Sequence, residues 1–325
     1  MTATDCVCRP VDAALWLARA FVQGRRLAVS APGADDHAHH VAVEFVHPVV
    51  AGARALPATA GPRDETDAYL VIGEPDRGAD LFIAGDLTDS TIIRTYHVLW
   101  ELVQVALDHP GIAGGEGSAG GDTTGFLYPF LDAAEADEAG LRASLDASAR
   151  AKRSESAALE AATLRANRDV LASVAEAAAS TREDHRRILT MGNGGSATDA
   201  ARLARRLRGV GLRAQSLSAD YAVVTALAND LGAEKLFVRQ LEAFGRGGDV
   251  LVGCSTSGSS PNLLAAFDRA AQMGLMTVGL SGYGGRTYRR EPSVDHGLAV
   301  DSQSVHRIQE AQAALIDELC DRIRS

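Results

Sequence analysis

Two loops rich in glycine and serine constrain the fold of this chain more than any other feature. The first loop, residues 192–196, follows the apolar run RRILTM, and the second, residues 255–260, follows the apolar run DVLVGC. A run typical of a helix comes after each loop. A loop of this kind offers backbone N–H groups, hydroxyls and a helix N-terminus to an anion. The two loops therefore predict a phosphate site, and their hydroxyl groups favour a phosphosugar over a nucleotide.

From residue 187 onwards, strand-like and helix-like runs alternate. We predict strands at residues 188–191, 214–217, 249–254, 276–280 and 297–300, and a last helix from about residue 304 to 323. This alternation predicts a parallel sheet with helices on both faces. Ligands of such sheets bind beyond the carboxyl ends of the strands, where both loops lie.

The beginning of the chain repeats this order in a shorter form. Predicted helices at residues 13–22, 37–46 and 89–107 alternate with predicted strands at residues 26–30 and in RALPATA, DAYLVIGE and ADLFIAG. Relative to the later part, one helix is missing after the loop GEPDRG. We therefore predict an internal duplication, with two tandem α/β units of which the first is abridged.

A glycine-rich stretch separates the two parts. We predict a first domain at residues 1–110, a linker at residues 111–130 and a second domain at residues 131–325. The second domain opens with residues 132–179, which are dense in Ala, Glu, Arg and Leu. This composition predicts two helices, or one long helix that breaks near Asn167.

Composition excludes several classes of function. The 32 Lys and Arg residues against 42 Asp and Glu residues give a formal charge of −10, so nucleic acid is not an expected partner. No apolar run reaches membrane-spanning length, and the N-terminus lacks a signal-peptide pattern. The four cysteines, Cys6, Cys8, Cys254 and Cys320, are scattered and do not form a disulfide framework. We expect a cytoplasmic protein that does not bind membranes.

The second part resembles the SIS (sugar isomerase) domain, and within it the sedoheptulose-7-phosphate (phosphoheptose) isomerase branch. The matching stretches, in family order, are GNGGSATDA, TALANDLGAEKLFVRQLEAFGRGGDVLVGCSTSGSSPNLLAAFDRA, TVGLSGYGG and RIQEAQ. The resemblance implies a three-layer α/β/α sandwich with a parallel sheet, which binds a phosphorylated sugar and assembles into homo-oligomers. The substrate- and phosphate-binding positions that it implies are Asn193, Gly194, Ser196, Asp230, Ser255, Thr256, Ser257 and Ser260.

The chain departs from the family at the positions of the acid–base groups. An aldose–ketose isomerase moves a proton between adjacent carbons, which requires a base and an acid. On the helix after the first loop, the family's His and Glu are replaced by Arg202 and Arg206. On the last helix Gln309 remains, but the family's second His is replaced by Asp317. Arginine does not act as a base at neutral pH and does not ligate a divalent metal. The two arginines either bind a second anionic group of a ligand or lie on a solvated, Arg-rich helix.

The first part carries the spacing that the second part lacks. His40 and Glu44 are four residues apart on one predicted helix, and His97 and Glu101 have the same spacing on another. Residues four apart share a helix face. If the two pairs converge, they form a ligand set that suits zinc, iron or manganese. The alternative interpretation is a pair of hydrogen bonds on the surface of the helices.

Three functions remain open at this stage. The first is a phosphosugar isomerase acting on a ketose phosphate such as sedoheptulose 7-phosphate, with Glu44 or His40 as the base and Gln309 near the substrate. The second is a non-catalytic SIS protein that senses a ligand or binds a protein partner. The third rests on the similarity of VEFVHPVVAGARALPA and HVLWELVQVALDHPG to SIS-like proteins encoded beside hydrogenase maturation genes. It implies an accessory role in the assembly of a metal centre.

Overall fold

The computed structural model describes residues 9–48, 53–74, 78–85, 87–109, 112, 138–182 and 185–324. The chain divides into two compact units, Met1–Ala157 and Ala158–Ser325. Apart from Ile112, the predicted linker at residues 111–130 lies outside the described residues, as do Cys6 and Cys8. The predicted limits of the two domains therefore stay predictions. Most of the long helix that we assigned to the second domain belongs to the first compact unit.

The first unit is built on a parallel sheet. Its elements are α1 (Pro10–Val22), β1 (Leu27–Ser30), α2 (Asp35–Val46), β2 (Ala58–Ala60), β3 (Ala68–Gly73), β4 (Leu81–Ala84) and α3 (Asp89–Asp108). Helix α4 (Glu138–Ala166) begins in this unit. The strands follow the order β2-β1-β3-β4, and every neighbouring pair is parallel.

The second unit repeats the design with one more strand. Its elements are α5 (Arg168–Ser180), β5 (Ile188–Gly192), α6 (Gly195–Gly209), β6 (Ala214–Ser216), α7 (Tyr221–Leu231), α8 (Leu236–Phe244), β7 (Val250–Cys254), α9 (Pro261–Gln272), β8 (Met276–Ser281), β9 (His296–Ala299) and α10 (Val305–Arg324). The strand order is β6-β5-β7-β8-β9, again with every neighbouring pair parallel.

The two sheets share one topology. In each, the first strand lies between the second and third strands, and the fourth follows the third. The first sheet ends there, and its described residues between β3 and β4 form no helix. The prediction of two tandem α/β units with parallel sheets, the first one abridged, is confirmed.

The predicted break in the long helical stretch is also confirmed. Helix α4 ends at Ala166, and α5 begins at Arg168. The side-chain amide of Asn167 donates to the carbonyl oxygens of Thr163 and Ala299, both at 2.8 Å. The N–H of Ala299 donates back to Asn167 Oδ1. The break therefore ties the helical segment to the last strand of the second sheet.

Apolar side chains cover both faces of the second sheet. Strands β5 and β7 are buried at every position, as expected for central strands of a parallel sheet. One cluster of buried apolar residues packs beneath α5, α6 and α10, and another beneath α8 and α9. Helix α7 differs, because none of its residues is buried although most are apolar. Among the described helices, none is both long and apolar enough to span a bilayer.

Candidate functional site

The first glycine-rich loop turns sharply from β5 into α6. Strand β5 ends at Gly192, and α6 begins at Gly195. A Cβ added to Gly192 would lie 2.2 Å from the carbonyl oxygen of Ser196, so only glycine fits there. Gly194 has a φ of 53°, a conformation that costs glycine little. The turn leaves Asn193 exposed and buries Ser196 at the start of the helix.

Two hydrogen bonds tie the second loop to neighbouring elements, and a third lies within the loop. Ser255 Oγ accepts from the N–H of Gly258 at 3.0 Å, and the carbonyl of Ser255 accepts from Gln312 Nε2 at 2.8 Å. The N–H of Gly282 donates to the carbonyl of Thr256 at 2.9 Å. Ser257 is exposed, and Ser260 occupies the N-cap position of α9. The anchoring fixes the loop and leaves hydroxyl groups at its outer side.

A reciprocal amide pair joins the first loop to the first turn of α9, which follows the second loop directly. Asn193 Nδ2 donates to Asn262 Oδ1, and Asn262 Nδ2 donates to Asn193 Oδ1, both at 2.9 Å. The pair is possible because Gly192 of β5 lies in register with Cys254 of β7, so both loops leave the same edge of the sheet. The N-termini of α6 and α9 lie at this edge with them. The structure thus brings together the two loops that the sequence predicts as one site.

Ser218, Asn262 and Gln312 contact the loops, whereas Asp230 does so in no described contact. Ser218, which follows β6, accepts from the N–H of Gly192 at 3.1 Å and donates to its carbonyl at 2.8 Å. Sequence reasoning missed Ser218, Asn262 and Gln312, although Asn262 and Gln312 lie inside the quoted family stretches. Asp230, predicted to bind substrate, lies exposed on α7 and accepts from Asn229 Nδ2. No contact described for Asp230 reaches either loop.

Ion pairs occupy the positions where the family has its acid–base groups. Arg202 is 1% exposed, and its guanidinium lies 2.8 Å from the carboxylate of Asp199, which is fully buried. Arg206 lies 2.9 Å from Asp317 and 3.8 Å from Asp321. The interpretation of a solvated helix face is wrong for Arg202, because that side chain is enclosed in the core.

The residues at the four family acid–base and metal positions cannot carry out the proton transfer of an isomerase. An arginine does not act as a base at neutral pH, and the carboxylates of Asp199 and Asp317 are each engaged by a guanidinium group. Arg202, Arg206, Gln309 and Asp317 also do not fit a divalent metal, since arginine has no lone pair to donate. Gln309 is buried on α10. The second unit therefore retains the loops and lacks an acid–base or metal set at these four positions.

In the first unit, two aspartates lie at the start of α2, whereas histidines and glutamates lie in the core. The loop before α2 leads into Asp35 and Asp36 in the first helical turn, where carboxylates oppose the binding of a phosphate. His40, Glu44 and His97 are buried side by side. Glu101 is buried as well, but its Oε2 lies 2.5 Å from Nζ of Lys152. The structure thus assembles three of the four residues that we predicted as metal ligands.

Sequence comparisons place known relatives on the second part of the chain. The model of the SIS domain family matches residues 153–282. A phosphoheptose isomerase of Helicobacter pylori strain P12 is 45% identical over 149 residues, which cover 44% of this chain and 77% of the relative. A phosphoheptose isomerase of Campylobacter jejuni is 43% identical over 143 residues, which cover 42% of this chain and 76% of the relative.

Two solved structures extend the comparison. The phosphoheptose isomerase of Neisseria gonorrhoeae has a TM-score of 0.52 at 34% identity, with 55% of this chain and 98% of that chain covered. The C-terminal domain of glucosamine-fructose-6-phosphate aminotransferase from Francisella tularensis has a TM-score of 0.60 at 9% identity. It covers 98% of this chain, with 92% of its own length matched, and shows a likeness in fold alone.

Proposed function

This chain belongs to the SIS domain family, in the phosphoheptose isomerase-like branch, and we propose that its second unit binds a phosphorylated sugar. The observation that carries the proposal is the Asn193–Asn262 amide pair, which joins the first loop to the helix that the second loop leads into, at the carboxyl edge of the sheet. Parallel sheets of this kind bind ligands at that edge. Relatives named phosphoheptose isomerase, up to 45% identical, support a sugar phosphate such as sedoheptulose 7-phosphate.

The loops supply three kinds of group to a phosphate. Hydroxyls come from Ser196, Ser255, Thr256, Ser257 and Ser260, and a side-chain amide comes from Asn193. The backbone at Gly194 admits close approach, since nothing lies within 4 Å of its missing side chain. The N-termini of α6 and α9 each carry a partial positive charge of about half an electron, which favours an anion.

We further propose that the second unit binds its ligand without isomerising it. Isomerisation needs a base and an acid on the two sides of the reacting carbons. The positions that would supply them hold the Arg202–Asp199 and Arg206–Asp317 ion pairs. The unit then acts as a ligand sensor or as a ligand-dependent scaffold for a protein partner.

An aldose–ketose isomerase is the second candidate, and the names of the relatives favour it. It would require His40 and Glu44 of the first unit to act as acid and base, with Gln309 near the substrate. Those catalytic roles stay predictions. His40 and Glu44 are both almost fully buried, so a substrate would reach them only through a change in the first unit.

Calorimetry with sedoheptulose 7-phosphate and with unphosphorylated sedoheptulose tests the binding proposal on the full chain. We expect binding of the phosphate alone. Ser257→Ala should weaken it about 10-fold, the value of one hydrogen bond to a charged group. Ser173→Ala serves as the control, because Ser173 is an exposed serine of α5 that bonds only the helix backbone. Equal affinity for both sugars, or no effect of the loop substitution, would refute the proposal.

An isomerase assay on the same samples separates the two candidates. We expect no conversion of sedoheptulose 7-phosphate above the rate without protein. Conversion that Glu44→Gln abolishes would establish the isomerase and overturn the non-catalytic assignment.

The oligomeric state and the cellular location of the protein are further proposals. Helix α7 is apolar, has no buried residue and exposes 82% of Tyr221, which supports a contact with a second copy of the chain. We propose a cytoplasmic homo-oligomer, and light scattering on the purified protein measures its size.

A further inference from the structure

Two helices of the first unit bring a histidine-rich cluster together in the core. His40 and Glu44 come from α2, and His97 comes from α3. One ligand atom from each of the three lies within 4.8 Å of the other two. We propose that this cluster, named here the His–Glu–His site, binds one divalent first-row transition-metal ion such as zinc.

The spacing of the side chains matches what such an ion requires. His40 Nε2 and Glu44 Oε1 are 3.4 Å apart. Ligands at about 2.1 Å from a tetrahedral zinc ion lie about 3.4 Å from one another, so this pair already has the required separation. The imidazole rings of His40 and His97 are 5.3 Å apart between centroids and inclined at 74°. The remaining separations, at most 4.8 Å, have to close to about 3.4 Å for all three ligands to bind one ion.

Burial makes a cation at this point energetically favourable. His40, Glu44 and His97 are each no more than 1% exposed. A carboxylate that is removed from water is strongly stabilised by coordination to a metal ion. A divalent ion compensates the carboxylate and uses the lone pairs of both imidazoles.

Neighbouring aromatic and acidic groups hold the ligands in place. The ring of Tyr96 contacts the edges of His40 and His97, at centroid distances of 5.3 and 5.2 Å. One turn before His40, His37 Nε2 lies 2.7 Å from Asp89 Oδ1. This pair links α2 to the first turn of α3, the same two helices that supply the ligands. The Tyr96 contacts therefore limit the movement of both imidazoles, and the His37–Asp89 pair holds together the two helices that carry the ligands.

The donor set narrows the class of ion. Two imidazole nitrogens and one carboxylate oxygen suit zinc, iron(II) or manganese(II), and leave at least one coordination position for water or another ligand. Glu101 is a separate case, because its carboxylate is bonded to Lys152. The site lies outside the stretch that the SIS model matches, and it does not depend on phosphosugar binding by the second unit.

Metal analysis of the full chain tests the proposal. We expect the protein, stripped with a chelator, incubated with zinc and desalted, to retain about one zinc ion per chain. Glu44→Gln and His97→Gln should each weaken zinc binding at least 10-fold. His39→Asn and Glu101→Gln are the matched controls, since they alter an exposed histidine of α2 and a buried carboxylate of α3 outside the cluster. Both controls should retain the metal.

Cobalt substitution tests the site in the wild-type chain, so the result does not depend on whether a variant folds. Cobalt(II) in the wild-type chain should give the intense visible absorption of a four- or five-coordinate ion with nitrogen and oxygen ligands, and should be displaced by one equivalent of zinc. Retention of less than a tenth of an equivalent of zinc, or only the weak spectrum of hydrated cobalt, would overturn the proposal. Folded Glu44→Gln and His97→Gln variants that bind zinc with wild-type affinity would also overturn it.

Discussion

Replacement of Arg202 by methionine should destabilise the second unit by several kcal/mol. Methionine keeps most of the length of the side chain and removes its charge. Asp199 would then remain in the core as a carboxylate without its cation, since both residues are at most 1% exposed. The perturbation tests whether this arginine is now a structural residue at a position where the family has a histidine.

The magnitude follows from the geometry of the pair. At 2.8 Å and an effective dielectric constant of about 20, the attraction between the two charges is about 6 kcal/mol. Desolvation offsets much of it, and loss of one partner from a buried pair costs about 3–5 kcal/mol in practice. Arg206→Met is the comparison. Arg206 and Asp317 remain 21% and 13% exposed, so solvent screening reduces the cost there to about 1 kcal/mol.

Urea unfolding and thermal unfolding, each followed by far-UV circular dichroism, measure both variants. For a unit of this size, about 4 kcal/mol corresponds to a fall in Tm of roughly 8–16 °C. Addition of Asp199→Asn to Arg202→Met should recover at least half of the loss, because it removes the buried charge itself. A loss below about 1.5 kcal/mol for Arg202→Met, or one no larger than that of Arg206→Met, would refute this reasoning.

Two further predictions concern the loop and the thiols. Gly192→Ala should lower the affinity for sedoheptulose 7-phosphate more than 10-fold in calorimetry, because the added Cβ meets the backbone of Ser196. Gly209→Ala is the control and should bind normally, because nothing lies within 4 Å of a Cβ at that position. Equal binding by both variants would contradict this prediction. Burial raises the pKa of Cys254, and it raises that of Cys320 to about 11. Near pH 8 both thiols stay protonated, so mass spectrometry should find them unalkylated by iodoacetamide in native protein and alkylated in concentrated urea. Native labelling at either residue would show that its enclosure is wrong.

Local sequence signals were sufficient for most elements of the fold. The five predicted strands of the second unit each lie within one or two residues of the observed strands, since apolar runs between turns mark buried parallel strands. The run RALPATA was predicted as a strand of seven residues, but only Ala58–Ala60 form β2. Pro57 has no N–H to donate, so the ladder cannot continue through it; its carbonyl accepts from Leu27 instead.

Long-range pairings were beyond the reach of the sequence. The loops could be predicted, but the Asn193–Asn262 bond joins residues 69 positions apart. Arg206 and Asp317 were each recognised as departures from the family, yet only the fold shows that they pair across 111 positions. Helical spacing indicated two pairs, His40 with Glu44 and His97 with Glu101, whereas the approach of His97 to the first pair depends on how α2 packs against α3. The spacing of residues along a helix shows which of them share a face, but only tertiary packing decides which helix faces contact each other.

The geometry of α6 explains how binding and isomerisation can separate in the second unit. The loop contacts lie at the first turn of this helix, around Gly195. At 1.5 Å per residue, Arg202 and Arg206 lie about 10 and 16 Å further along the axis. The Asn193–Asn262 pair and the two hydrogen bonds of Ser255 do not involve either arginine. Arg206 opposite Asp317 balances charge within the helix pair, while either residue alone would leave a partly buried charge uncompensated. Ion pairs at the positions of the family's acid–base set are thus compatible with intact phosphate loops, as the proposed binding without isomerisation requires.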